Sequence, residues 1–148
     1  MLTSEQVRQI KAEVLEAASR HLQTTDLSTA LSHFIDDIVA VSNQTIYPSL
    51  ESLKDDISQY YKNLKSVNHA SWKATYIRVI SDTAAIFTAK FDYGFTDHEN
   101  VTTNLTGVWT ALFIRKGDGW KIRLRHESFE TAQNTDNSKE KVIPDEVR

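Results

Sequence analysis

Histidine is the side chain best suited to move a proton near neutral pH, and His126 is the most suggestive of the five histidines in this sequence. It lies in residues 120–130, where apolar and charged side chains alternate as they do in a half-buried strand. If the apolar face points inward, His126 lies in or beside an internal pocket, and Asp36 or Asp37 could orient its ring for acid–base catalysis. A histidine held structurally by a neighbouring strand or hydroxyl is the alternative, and it is favoured over catalysis.

The two faces of the same segment carry different chemistry. One face consists of Trp120, Ile122, Leu124, His126 and Ser128, and the other of Lys121, Arg123, Arg125 and Glu127. Pointing outward, Arg123 and Arg125 would suit an interface between two copies of the chain. If a β-bulge shifts the register, the arginines would face an anionic ligand instead. The interface is the favoured interpretation, although the alternation alone leaves both directions open.

Aromatic residues form a second pattern, on the preceding predicted strands. One face of residues 83–96 begins with small side chains and continues with large ones: Ala85, Phe87, Ala89, Phe91, Tyr93 and Phe95. Trp109 forms a similar row with Ala111 and Phe113. Such a gradient can shape a cavity, since ligand pockets are mostly apolar with a few polar groups. Phe91, Tyr93, Trp109 and His126 are therefore the candidate lining of a ligand site, although an ordinary core is the favoured interpretation of the aromatic rows.

Residue types needed for several other chemistries are absent or poorly placed. The sequence has no cysteine, which excludes disulfides, thiolate metal sites and thiol nucleophiles. Asp97, His98 and Glu99 form the nearest metal-like cluster, but they lie in a predicted turn where a solvated loop is the better interpretation. The four glycines do not form a phosphate-binding loop. No metal and no cofactor are predicted.

Composition limits the class of protein further. A length of 148 residues suits one domain, and a net charge of −3 without a cluster of basic and aromatic residues argues against a nucleic-acid partner. The longest apolar runs, such as Ile38 to Val41, have four residues, whereas a membrane span needs about 20. The N-terminal residues lack the basic and apolar regions of a signal peptide. These features predict a protein of the cytoplasm that does not cross a membrane.

Three helices are predicted in the first half of the chain. Thr3 and Gln6 resemble a capping box at the start of an amphipathic helix over residues 4–22. Asp26 is a suitable N-cap for a second helix, which should end near Asp36 and Asp37. Ser49 can cap a third helix that ends around Lys65. Two short strands, residues 38–41 and 45–47, are predicted between the second and third helices.

The second half changes to a period of two. Strands are predicted at residues 70–80, 83–96, 101–115 and 120–130, and Gly117-Asp118-Gly119 is a strong hairpin signal before the last of them. Helices that precede consecutive long strands indicate an α+β domain with an antiparallel, strongly coiled sheet. Residues 131–148 are polar and are predicted to form a tail.

Two local signatures resemble the SnoaL-like and DUF4440-like branches of the NTF2-like superfamily, and the resemblance covers about residues 4–130. The first runs from Asp26 through Phe34 and the acidic pair to Val41. The second joins Thr106-Gly107, Gly119-Trp120-Lys121-Ile122 and His126-Glu127-Ser128, which is similar to the closing hairpin of that family. The resemblance implies a cystatin-like cone over residues 1–130, in which three N-terminal helices pack in a curved antiparallel sheet around a pocket.

The same resemblance implies a homodimer through the outer sheet face and a position for Tyr47 near the mouth of the pocket. It implies no single activity, because folds of this kind serve many functions. Compared with ketosteroid isomerases of the superfamily, the catalytic base falls at Ser42 and the catalytic tyrosine at Ala18, and neither can act as required. That isomerase apparatus is therefore incomplete in this sequence.

Three functions stay open on the sequence alone. The first is binding of a small, largely apolar ligand in the pocket, with Tyr47, Phe91, Tyr93, Trp109 and His126 as its lining. The second is a small isomerase, dehydratase or cyclase acting on a carbonyl compound, with His126 as proton carrier. The third is a protein-interaction or oligomerisation module. The sequence does not identify a ligand or substrate.

Overall fold

The helices and strands follow the predicted order: two helices, two strands, a third helix and then four long strands. The structure, a computed structural model, describes residues 1–131, so the predicted tail lies almost wholly outside the described residues. Its elements, in chain order, are α1 (Ser4–Gln23), α2 (Leu27–Ser32), β1 (Phe34–Ser42), β2 (Thr45–Tyr47), α3 (Leu50–Asn63), β3 (Leu64–Ser81), β4 (Ala84–Asp97), β5 (Thr102–Lys116) and β6 (Gly119–Thr131). No helix of the described part is long and apolar enough to cross a membrane.

The predicted N-caps are present at all three helices. Thr3 and Gln6 form the complete capping box of α1, with Gln6 N donating to Thr3 Oγ1 at 3.1 Å. Asp26 accepts a hydrogen bond from Thr29 N at 2.9 Å at the start of α2. Ser49 accepts from Ser52 N at 3.1 Å at the start of α3. These bonds satisfy backbone donors that a helix cannot satisfy itself.

The prediction that α2 continues to the acidic pair was wrong. α2 ends at Ser32, and β1 begins two residues later at Phe34. Phe34 and Ile38 are buried on β1, and Ile122 N on β6 donates to His33 O at 2.8 Å. Pairing with β6 therefore overrides the local helical pattern, as tertiary contacts commonly override propensity. Asp36 and Asp37 lie in the middle of a strand, not at a helix end.

The six strands form one curved sheet in the order β2-β1-β6-β5-β4-β3. The four long strands are an antiparallel meander, as predicted, although β3 begins at Leu64 because Leu64 to His69 pair with the end of β4. The pairing of β1 with β6 is parallel, a detail that the sequence pattern does not predict. α1 and α3 pack on the concave face, where Val14 and Leu53 are fully buried beside Phe87. The predicted α+β cone is confirmed.

One irregularity in β6 decides what faces the interior. Phe113 of β5 pairs with Ile122, but its neighbour Leu112 pairs with Leu124, so Arg123 is an extra residue on β6. Before this β-bulge, Trp120 and Ile122 are buried; after it, Arg125 is buried and Leu124 is exposed. Because strand side chains alternate with period two, one extra residue reverses the two faces of everything that follows.

Candidate functional site

A cavity of about 380 Å³ lies between the helices and the concave face of the sheet, toward the C-terminal half of β4 and β6. Helices α1, α2 and α3 form one wall, and strands β1 and β3 to β6 form the other. Most of its surface is aromatic, from Tyr60, Tyr61, Trp72, Phe91, Tyr93, Phe95, Trp109 and Phe129. Charged or titratable groups also line it: His21, Asp56, Arg125 and Glu127.

Three of the residues predicted from the sequence lie in the cavity wall. Phe91 and Tyr93 line it from β4, and Trp109 lines it from β5. Tyr47, at the end of β2, does not line the cavity, but it lies near Asp56, which does line it. Burial is the main reason why the pKa of Tyr47 is raised, and the neighbouring Asp56 carboxylate adds to it. Tyr47 therefore lies close to the cavity without lining it.

His126 lies on the opposite side of the sheet. It is exposed, and it pairs with Thr110 on β5 and Val41 on β1 from the outer face. The placement of His126 in or beside the pocket was wrong because the bulge at Arg123 reverses the faces of β6. The carboxylates expected beside it are exposed too, and Asp37 instead pairs with Arg123 at 3.0 Å. The predicted histidine–carboxylate site does not form.

Arg125 occupies the inward position that had been assigned to His126. Arg125 is only 7% exposed, and among the residues that the structure describes it is the only charged residue that is buried. Its Nε has no hydrogen-bond partner, and its Nη2 lies 3.7 Å from Oε2 of Glu127, which is too long for a hydrogen bond. A β-bulge that turns both arginines inward was the alternative interpretation of the sequence pattern. The bulge is present, but it turns only Arg125 inward and leaves the Arg123 side chain about half exposed.

Glu127 is the second inward polar residue of β6. Its Oε2 accepts a hydrogen bond from Ser42 Oγ at 2.8 Å, and its backbone oxygen accepts from Asn43 N at 2.8 Å. Both contacts connect β6 to the end of β1, so the parallel pairing of these strands fixes the carboxylate in the wall. Simple alternation predicts Glu127 on the same outward face as Lys121, so the sequence pattern does not identify Glu127 as a site residue.

His21 lines the cavity near Arg125, and its ring is paired with that of His33 behind the wall. Nδ1 of His21 on α1 lies 2.8 Å from Nδ1 of His33, so one ring must donate and the other accept. Burial, with smaller contributions from His33 and Arg125, lowers the pKa of His21 to about 3. Burial also lowers the pKa of His33, helped by Lys121 and Arg20. Both rings are therefore neutral at physiological pH, and His21 adds no charge to the cavity.

Three tyrosines supply hydroxyl groups to the cavity, two from α3 and one from β4. The hydroxyls of Tyr60 on α3 and Tyr93 on β4 hydrogen-bond to each other. Burial is the main cause that raises the pKa values of Tyr60, Tyr61 and Tyr93, so all three stay protonated. In such a pair one hydroxyl donates its proton to the other oxygen. The second hydroxyl can then donate its own proton to another acceptor, such as a ligand. The cavity thus combines a cation, a carboxylate and neutral hydroxyls within aromatic walls.

A metal does not fit the described residues, among which no group of three or more histidine, aspartate or glutamate side chains is placed to hold an ion. The chemistry available to the site is hydrogen bonding, ion pairing and proton transfer by Glu127. Burial among aromatic rings strengthens each of these interactions, because the local dielectric constant is lower than that of water.

Comparison with known proteins agrees with this architecture. The fold matches a candidate scytalone dehydratase from Novosphingobium aromaticivorans with a TM-score of 0.76 and 13% identity, covering 99% of each chain. It matches LinA with a TM-score of 0.72 and 14% identity over 97% of this chain and 100% of that one. It matches a candidate ketosteroid isomerase from Parabacteroides distasonis with a TM-score of 0.60 and 18% identity over 79% of this chain and 85% of that one. At these identities the likeness shows the fold alone.

Comparison with proteins of curated function finds no match to this sequence. A family model described as a SnoaL-like domain, by contrast, matches residues 10–132, which include every helix and strand except the first turns of α1. The structural matches have the same fold as this chain. This is the NTF2-like fold that was predicted from two signatures, the segment from Asp26 to Val41 and the closing hairpin. The chain therefore belongs to the SnoaL-like domain family.

Proposed function

We propose that the protein binds a small, flat, largely apolar molecule in the cavity. The observation that carries this proposal is the cavity itself: about 380 Å³ of space is walled mainly by aromatic rings. Ligand pockets commonly span about 300 to 1,000 Å³ and are lined mostly by apolar and aromatic side chains. A molecule of two fused rings with one polar substituent suits the lower end of that range.

The ring arrangement supports a flat ligand. Trp72 and Trp109 have ring centroids 5.4 Å apart and are tilted by 36°, while Trp72 meets Phe87 edge to face. These contacts fix the orientation of the two indole rings. The ring faces that line the cavity can therefore contact a ligand without first losing side-chain freedom. Preorganised aromatic surface is favourable for binding, since side-chain ordering otherwise reduces affinity.

A neutral probe tests this proposal without involving the charged groups. N-phenyl-1-naphthylamine is apolar, and its fluorescence rises when it leaves water. We expect saturable binding to the wild-type protein and a loss of binding in Leu105→Trp, which fills the cavity from β5. Thr106→Trp is the matched control, because Thr106 is the next residue on β5 and points outward. Equal binding by both variants, or none by the wild type, would contradict the proposal.

A second candidate is an enzyme acting on a carbonyl compound, and it rests on Glu127 and Arg125. A carboxylate and a guanidinium 3.7 Å apart in one wall could act together, with Glu127 removing a proton beside a carbonyl and Arg125 stabilising the enolate oxygen. The proton returns from Glu127 to another carbon in an isomerase, or to the same carbon in simple exchange. The dehydratase and isomerase candidates among the structural matches share the fold that would hold this pair.

Deuterium exchange measures this activity directly. In D₂O buffer, 2-tetralone should exchange its α-protons faster with the wild-type protein than in buffer, as followed by NMR. Glu127→Gln should abolish the enhancement, and Glu130→Gln should keep it, because Glu130 is exposed on the same strand. An unchanged rate with Glu127→Gln would remove Glu127 as the base, and buffer-level exchange with the wild type would remove the enzyme candidate.

We also propose that two copies associate through the outer face of the sheet. Val39 and Leu124 are register partners and are 39% and 43% exposed, and Val108 on β5 is 41% exposed. Val39 and Leu124 adjoin each other, and adjoining exposed apolar side chains on a sheet face suit an interface. Light scattering should give the mass of a dimer for the wild type and of a monomer for Leu124→Lys. Ile80→Lys, at an exposed site on β3, should leave the dimer intact.

A further inference from the structure

We propose that the molecule bound in the cavity carries a carboxylate, which forms an ion pair with Arg125. This inference rests on the proposed binding function and specifies the chemical class of the ligand. It follows from the hydrogen-bonding state of Arg125, the neighbouring donors and the charges that surround them.

Arg125 is buried without adequate partners. A guanidinium is always charged and presents five N–H donors, and burying it is unfavourable unless those donors are paired. Its Nε has no partner, and Glu127 approaches its Nη2 only to 3.7 Å. The Glu127 oxygen in question already accepts a hydrogen bond from Ser42. Glu127 therefore reduces the local charge but does not satisfy the donors of Arg125.

The second unsatisfied group of the cavity is a donor as well. Among the described residues, two buried side-chain polar atoms have no hydrogen-bond partner, and these are Nε of Arg125 and Nε1 of Trp72. Both residues line the cavity, and both atoms are N–H donors. His21, the nearest titratable wall group from α1, is neutral. A ligand that satisfies this wall must therefore bring acceptor oxygens.

The acidic groups limit how much negative charge such a ligand can carry. Glu127 lies beside Arg125, and Asp56, which also lines the cavity, is exposed. A dianion such as a phosphate monoester would be repelled by both carboxylates. A carboxylate carries one charge, is planar, and matches the guanidinium with two parallel hydrogen bonds. An aromatic carboxylate combines this group with the flat body that the aromatic walls accept.

A pair of isosteric probes separates this inference from the binding function. Naphthalene-2-carboxylate and naphthalene-2-carboxamide share the ring system and the planar head group, but only the first is charged at neutral pH. Calorimetric titration of the wild-type protein should give about tenfold or more tighter binding for the carboxylate. Arg125→Met should bind both probes equally, at the level of the amide. Arg123→Met, on the outer face, should keep the wild-type preference.

The outcomes are distinct. If the two probes bind the wild type equally, or the amide binds more tightly, the carboxylate inference is wrong and the binding function stands. If neither probe nor the neutral naphthylamine binds, both proposals fail. Should Arg125→Met not fold, Arg125→Lys replaces it: a point charge without the planar fork should lose at least part of the preference. The wild-type comparison of the two probes decides the inference in either case.

Discussion

The same three strands, β4 to β6, build a solid core at one end of the cone and a cavity at the other. At the packed end Phe87, Phe113 and Ile122 are no more than 1% exposed, with Ala85 and Ala111 filling the spaces between large rings. At the open end Phe91, Tyr93 and Phe95 follow on the same face of β4 with no small residue between them on that strand, and the helices leave a gap above them. The bulge at Arg123 lies at the border between the two ends.

This difference shows how one fold separates stability from binding. Alternation of large and small side chains lets layers interdigitate at the density typical of protein interiors. A continuous row of large rings cannot interdigitate in that way, so it lines a space. The bulge then supplies charged groups to that space and none to the packed end. We expect substitutions to change stability at the packed end and binding at the open end.

The strongest test compares two phenylalanines on the same face of β4. Phe87→Ala removes a fully buried ring and should lower the free energy of unfolding by about 3 to 5 kcal/mol. Phe95→Ala should cost less than about half of that, because its ring lines the cavity and is partly exposed. Chemical denaturation measures both values. Equal losses would show that the open end is packed as tightly as the core.

The histidine pair at the border of the two ends predicts a dependence of stability on pH. The pKa of His21 is lowered to about 3 in the folded chain, whereas an unfolded histidine titrates near 6.5. Between these values the unfolded state binds more protons, so stability rises with pH through the window and is lost as pH falls from about 6.5 toward 3. The slope for one proton is at most about 1.4 kcal/mol per pH unit.

Denaturation of the wild type and of His21→Phe across this window checks the assignment. We expect a clearly smaller slope in the variant, because its ring can fill the same aromatic surroundings of Phe34 and Trp109 without accepting a proton. His126→Gln is the control, because His126 is exposed on the outer face. A slope that is the same in all three proteins would show that the buried pair does not govern acid sensitivity.

Arg125 should show that the open end is not optimised for stability. Arg125→Met replaces a buried, incompletely paired charge by an apolar chain of similar length, while Glu127 keeps its hydrogen bond to Ser42, and we expect the free energy of unfolding to change by less than about 1 kcal/mol. Arg123→Met removes an exposed ion pair with Asp37 and should change the free energy of unfolding by less than about 0.5 kcal/mol. A loss above about 2 kcal/mol for Arg125→Met would instead identify Arg125 as a structural residue.

The smallest effect is expected on the outer face. His126→Ala should change the free energy of unfolding by less than about 0.5 kcal/mol and leave binding of the naphthalene probes unaltered, since its side chain is separated from the cavity by the sheet. Thermal denaturation and the same calorimetric titrations measure both quantities. A loss of binding without a loss of dimerisation would mean that His126 reaches the cavity, and the description of the two faces would need revision.

Much of this architecture follows from the sequence because its determinants are local. The caps at Thr3, Asp26 and Ser49 identify the helix starts, since each depends on residues three positions apart. The change of period near Ala70 identifies the sheet, and the row from Ala85 to Phe95 identifies the inward face of β4, because side chains of a regular strand alternate. Phe91, Tyr93 and Trp109 were placed in the cavity wall on this basis.

Tertiary structure decided the rest. The β-bulge at Arg123 has no sequence signature of its own, because a bulge forms only when one strand is aligned against its neighbour. Because of this bulge, Arg125 faces the interior and His126 does not. Parallel pairing with β6 placed Phe34 to Asp37, which were predicted as a helix end, in strand β1, and it brought Ser42 to Glu127. His21 and His33 met for the same reason, across twelve residues. The sequence by itself determined the framework, where regular alternation holds, while the chemistry of the cavity depends on the contacts that interrupt it.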